Sequence, residues 1–182
     1  MKTLTPHLLL LALAAAAALI GCSTASTKSV DYSAGIRASL DQAGYKDVSV
    51  SQDRLKGVVT LGGHVASAGD KSQAESIATS IVADQVVANQ IAVIPPGAEI
   101  AAREVNANLD KGIENNLKAA LIMENLDKGV KSTVKNHVVT LSGEVDSPAK
   151  RARAEAVATT VPNVQQVVNT LQVKGQKATT SK

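Results

Sequence analysis

The sequence predicts an α+β protein built as two tandem copies of one small domain. Each copy runs helix-strand-strand-helix-strand, with a small three-stranded sheet packed on two helices. Three observations carry that expectation. Val58-Val59-Thr60-Leu61-Gly62-Gly63-His64-Val65 recurs as Val138-Val139-Thr140-Leu141-Ser142-Gly143-Glu144-Val145, and the offset of 80 residues holds without a gap as far as Val93 and Val173. Within that span Ala74-Glu75 matches Ala154-Glu155, and Val87, Asn89 and Val93 match Val167, Asn169 and Val173, so the chain carries a duplication. Inside each copy the apolar period changes from two residues to 3.6 and back, as strand, helix and strand require. Between the copies lies Ile94-Pro95-Pro96-Gly97, which suits neither a helix interior nor a central strand and reads as a linker.

Each copy opens with a helix, Ile36 to Leu40 in the first and Leu117 to Leu121 in the second. Val105, Leu109, Ile113, Leu117 and Leu121 recur every four residues, so the second opening helix is expected to be much longer, with Gly112 as a possible bend. Strand-type residues follow, around Val48 to Val50 and Val130 to Val134. In the next strand Val59, Leu61, Gly63 and Val65 share one face, as do Val139, Leu141, Gly143 and Val145. Gly63 and Gly143, inside strands, mark a bulge or a close backbone approach. Ser147-Pro148 then starts a helix, because serine caps free amides and proline suits the first helical position; Ser67 is its counterpart. Ala154, Val157, Ala158 and Val161, matched by Ala74, Ile77, Ala78 and Ile81, form the apolar stripe of that helix. In the closing strand Asn89 and Asn169 are expected to satisfy backbone groups rather than to act chemically.

Ahead of the repeat, Lys2 is followed by an apolar run of thirteen residues from Leu8 to Ile20, which at ~1.5 Å per residue reaches ~20 Å, too short to span a bilayer. The run reads as a secretion signal. Leu19-Ile20-Gly21-Cys22 resembles the lipobox of bacterial lipoproteins, which implies cleavage before Cys22 and lipidation of its thiol. Ser23 stands where aspartate would retain such a protein at the inner membrane, so the resemblance favours the outer membrane. The expected organisation is a leader over 1–21, a lipidated tether over 22–33, domains over 34–94 and 103–173, a linker over 95–102 and a polar tail over 174–182.

Composition narrows the function classes. With no Trp, no Phe and only Tyr32 and Tyr45, the cores are aliphatic and lack the stacking platforms of single-strand nucleic-acid binders, so no nucleic-acid partner is expected. The single cysteine excludes an internal disulfide and a thiolate metal cluster. His64 and His137 are not repeat equivalents and form no ligand pair, and neither a phosphate loop nor a nucleophile elbow is present. No catalytic residue, metal, cofactor or small-molecule substrate is expected.

Thr60-Leu61-Gly62-Gly63-His64-Val65 and Thr140-Leu141-Ser142-Gly143-Glu144-Val145, each followed by an Ala-rich helix and a Val-x-Asn-x-Leu/Ile-x-Val strand, resemble the BON domain. Together with the lipobox, the chain is similar to dual-domain lipoproteins of the bacterial outer membrane. The resemblance implies a non-enzymatic, periplasm-facing envelope module that binds phospholipid surfaces and supports resistance to osmotic stress. One departure is His137, at the turn position where Gly57 stands in the first copy. From Ser23 to Glu99 there are six Lys/Arg against eight Asp/Glu, and from Ile100 to Lys182 twelve against eight. The second domain is therefore the expected contact with anionic phospholipid. It offers two basic helices, one with Lys150, Arg151 and Arg153, the other with Lys111 and Lys118 near Ile122 and Met123. An adaptor that binds an envelope protein is the alternative.

Overall fold

The computed structural model describes residues 28–175. The expected leader, the lipidation site Cys22, the tether up to residue 27 and the tail from residue 176 lie outside the described residues.

In the first unit, α1 (Ser33–Gln42) leads into β1 (Val48–Asp53) and β2 (Val58–Val65), followed by α2 (Ala68–Ile81), β3 (Val86–Asn89) and β4 (Ala92–Val93). The second unit repeats the order with α3 (Glu99–Met123), β5 (Val130–Lys135), β6 (Val138–Val145), α4 (Pro148–Thr159), β7 (Gln166–Asn169) and β8 (Gln172–Val173). The long, β-branched β2 is the central strand. It pairs antiparallel with β1, from Val48↔Gly63 to Asp53↔Val58, and parallel with β3 and β4 on its other side. β6 holds the same position between β5 and the pair β7 and β8. The chain is thus α+β, as its periodicity predicts, but the third strand of each sheet is broken in two. At the break the Asn89 Oδ1 accepts from the Ile91 amide at 3.4 Å, and Asn169 does the same for Leu171 at 3.2 Å, while both halves of the strand keep one register with the central strand.

Ser67 and Ser147 cap their helices, accepting from the amides of Asp70 at 3.1 Å and Lys150 at 3.2 Å. Both helices lay alanines on the sheet. Ala74 and Ala78 pack with Ile36, Leu40, Val59 and Leu61, and Ala154 and Ala158 with Ile113, Leu117, Val139 and Leu141. Gly63 has φ +85°, and a Cβ there would stand 1.9 Å from the Asp47 carbonyl oxygen, so the glycine admits a close backbone approach.

α3 departs from the expected pattern in three ways. It starts at Glu99, inside the stretch expected as linker, it runs unbroken through Gly112, and only Ile113, Leu117 and Leu121 of its apolar series are buried. Val105 and Leu109 remain 56% and 36% exposed. The second sheet lies under the carboxyl-terminal half of the helix alone, and a single glycine costs only about 1 kcal/mol in a helix that packing otherwise holds.

The units also pack on each other. Val58 and Ala88 of the first meet Val138 and Val168 of the second, on the sheet faces turned away from the helices. Sequence alternation assigns one buried face to β2 and β6; the contact between units buries part of the other. Gln166 completes the joint, donating to the Val87 carbonyl at 2.7 Å and accepting from the Asn89 amide at 2.9 Å. Its side-chain amide thereby pairs the open edge of β3 as a strand would.

Candidate membrane-contact site

The three cations on α4 are committed to neighbours in different directions. Lys150 Nζ lies 2.8 Å from Asp146, which also receives Lys174 at 3.0 Å. The hydrogen bonds and charges of those two ammonium groups hold the Asp146 carboxyl down to about 2, and Asp146 in turn raises Lys174. Arg153 clamps Glu124 through Nη2 at 2.6 Å and Nε at 3.1 Å. Arg151 is half-buried; its Nη2 donates to the Asn169 carbonyl at 3.5 Å, and its Nε is buried without a partner among the described residues. Lys150 and Arg153, three residues apart, share a helix face, but each is paired with a carboxylate of its own, while Arg151 turns toward the Asn169 carbonyl.

On α3 the geometry differs. Lys111, Lys118 and Ile122 fall at i, i+7 and i+11 and share one face. Neither lysine makes an ion pair among the described residues. Lys118 lies along a groove of about 340 Å³ between α3 and β5, bordered also by Glu114, Ile122, Asp127, Val130 and Ser132. Its repeat counterpart explains the opening. Arg37 on α1 bonds Asp41 at 2.6 Å and reaches back to the carbonyl oxygens of Tyr45, Lys46 and Val48, closing the corner before β1. Among the described residues no such bonds hold Lys118; Ile122 on the groove is 51% exposed, and the next residue, Met123, 82%.

The model of the BON domain matches residues 32–95 and again 109–175, most of the described chain. The chain belongs to the BON-domain family. Tandem BON domains support a membrane- or envelope-associated role, BON domains bind membrane phospholipids, and the family points to a non-catalytic protein. Among solved structures, the chain is similar to the C-terminal domain of CdsD, the structural protein of the type III secretion system of Chlamydia trachomatis. That match has 13% identity and a TM-score of 0.33, covering 81% of this chain and 99% of that one. A second CdsD structure matches at 14% identity and a TM-score of 0.32, covering 79% and 92%. No curated protein matches the chain. No helix among the described residues is long and apolar enough to cross a membrane, and none of their His, Asp and Glu side chains group in threes around a possible metal position.

The remaining candidates have structural places in the two BON domains. His64 is half-buried on β2. Asn89 and Asn169 tie strand to helix identically: Asn89 Nδ2 donates to the Lys71 carbonyl at 3.1 Å and to Glu75 at 2.9 Å, as Asn169 does to the Arg151 carbonyl and Glu155. His137 follows Asn136 in a two-residue hairpin turn, with φ 67° and 47°, the doubly left-handed geometry that such turns require. Asp110 of α3 holds the tip by accepting both amides, at 2.7 Å from Asn136 and 2.8 Å from His137. The sequence carries a signal for this turn in the Asn136-His137 pair between strands, but none for the helix carboxylate that receives it.

Proposed function

We propose that this protein is a non-enzymatic lipoprotein of the bacterial outer membrane, anchored in the periplasm-facing leaflet through Cys22. Its second BON domain binds anionic phospholipid through the carboxyl-terminal half of α3, and the attachment helps maintain the envelope under osmotic stress. The observation that carries this reading is the uncommitted charge of Lys118, set beside exposed Ile122 and Met123 at an open groove, where Arg37 in the first domain is spent on the fold. A lysine near an anionic surface is worth ~1 kcal/mol, whereas a cation already paired with a protein carboxylate brings little net charge to the surface. Ile122 and Met123 add apolar area that can enter the headgroup boundary.

The test is sedimentation of a leaderless Cys22→Ser chain with vesicles of phosphatidylcholine, with and without phosphatidylglycerol, at low and high salt. Lys111→Ala with Lys118→Ala removes ~2 kcal/mol and weakens binding to anionic vesicles roughly 30-fold. Lys150→Ala with Arg153→Ala leaves it within a few-fold. Loss with the α4 pair and retention with the α3 pair would move the site to α4. Absence of binding to both vesicles would end the lipid reading for the folded part and leave the protein-adaptor role.

A further inference from the structure

A cleft of about 370 Å³ opens where the two BON domains meet, a size at the lower end of the ~300–1,000 Å³ that small-molecule pockets occupy. Lys71 and Glu75 of α2 form one wall, Asn106 of α3 and the hairpin tip at Asn136 and His137 the other, and Gln165 closes one end. Ala68, Ala92 and Val93 supply its accessible apolar lining. The cleft exists because the tip of the second domain's hairpin reaches across to the first domain, Asn136 Nδ2 donating to the Gln90 carbonyl at 2.7 Å.

Its polar groups are incompletely used. A lysine and a glutamate four residues apart on a helix readily pair, but no ion pair joins Lys71 and Glu75. Lys71 instead reaches the Gln165 side-chain oxygen at 3.3 Å, and among the described residues Glu75, which lines the cleft, accepts a hydrogen bond through Oε2 alone, from Asn89. Across from them, His137 Nε2 is buried with no partner among the described residues. Burial lowers the Lys71 pKa, partly offset by the carboxylates of Glu75 and Asp110, so its ammonium gains from an anionic partner. A simple anion would also face those carboxylates, and a simple cation would face Lys71. A ligand carrying both charges meets neither penalty.

We propose that this cleft binds a small zwitterionic α-amino acid, its carboxylate received by Lys71, its ammonium by Glu75, and its side chain laid on Ala92 and Val93. The ligand is held, not transformed. The site is separate from the α3 surface, so the vesicle experiment neither supports nor removes it.

The experiment is a titration of the full ¹⁵N-labelled chain in non-ionic detergent, read by amide NMR. The probes are L-leucine, N-acetyl-L-leucine, L-leucinamide and phosphoethanolamine. L-Leucine should shift the Lys71, His137 and Gln165 amides saturably, and the two blocked derivatives should bind at least ten-fold more weakly. Glu75→Gln keeps an acceptor for Asn89, so it should preserve the ligand-free spectrum while weakening L-leucine at least ten-fold; Lys71→Met should weaken it similarly. No saturable shift by L-leucine at millimolar concentration, or equal binding of all three leucine compounds, would overturn the proposal. Saturation by phosphoethanolamine without L-leucine would overturn the amino-acid assignment and give the cleft to a lipid headgroup.

Discussion

Asn89→Asp changes one side-chain atom at the point where strand, helix and cleft meet. Asn89 is 3% exposed, and its amide nitrogen donates to both the Lys71 carbonyl and Glu75. The substitution keeps the shape, removes both donors and sets a second carboxylate against Glu75. Two carboxylates ~4 Å apart repel by ~4 kcal/mol at an effective dielectric constant near 20. Protonating the new acid at pH 7 instead costs ~1.36 kcal/mol for each pH unit above its ordinary ~3.9, again ~4 kcal/mol, so neither escape is cheap. With a hydrogen bond lost as well, the first domain should be destabilised by about 5 kcal/mol at pH 7 and by about 2 kcal/mol near pH 4.5. The sign follows from linkage: the folded state raises the pKa of the introduced acid, so the penalty is small below the unfolded value and grows as pH rises above it. Urea unfolding gives the readout. Tyr32 and Tyr45, the only tyrosines, pack on the first domain's core, so their fluorescence reports that domain while circular dichroism reports both. Asn169→Asp should perturb the dichroism transition similarly through Glu155. Adding Glu75→Gln to Asn89→Asp should recover at least 2 kcal/mol. A cost below about 1 kcal/mol at pH 7, a cost that does not change with pH, or no recovery would refute the network.

Two further substitutions test the glycines against each other. Gly63→Ala forces a Cβ toward the Asp47 carbonyl at φ +85° and should cost about 3 kcal/mol or more in urea unfolding, whereas Gly112→Ala, with no neighbour within 4 Å of its new Cβ, should stabilise α3 by ~0.5–1 kcal/mol. Equal effects would mean that Gly63 is not required by close approach. The Asp146 carboxyl should titrate at about 2 by carbon NMR, and Lys150→Ala should move it toward 3.8. Because the folded value is depressed, this contact's stabilisation is present above pH 3.8 and is lost as pH falls through about 2; an unchanged titration in Lys150→Ala would show that the pair does not form.

The repeated features were legible because each depends on a local pattern. The strand–helix–strand unit follows from alternation at Val59, Leu61 and Val65 and from the four-residue recurrence of Ala74 and Ala78. The caps follow from Ser67 and Ser147, and the close approach follows from glycines held at the same offset. What escaped depends on distance in the chain. The buried second face at Val58 and Val138 exists because the domains pack together, and no periodicity within one strand encodes a partner 80 residues away. The exposure of Val105 and Leu109 likewise follows from where the second sheet ends, not from the helix that carries them. The α4 cations read as a cluster because sequence shows proximity along the chain; their pairing with Asp146, Glu124 and the Asn169 carbonyl is a property of the folded surface.

The duplication itself separates maintenance of the fold from what each copy can do besides. At positions where the copies agree, the side chains of Asn89 and Asn169 bond Glu75 and Glu155 within their own domains, and Gly63 and Gly143 admit close backbone approaches within theirs. Several positions where they differ face outward or across the joint. Gln166 stands where the first copy has Val86, and only the glutamine can pair the open edge of β3. Lys118 stands where the first copy has Arg37, and the shorter donor set frees a cation that the first copy commits to the corner before β1. In the second copy the hairpin is shortened to a two-residue turn, which lets Asp110 receive its tip and brings His137 over Lys71 and Glu75. Together these differences leave one face of α3 and one interdomain cleft with polar groups that the fold does not consume.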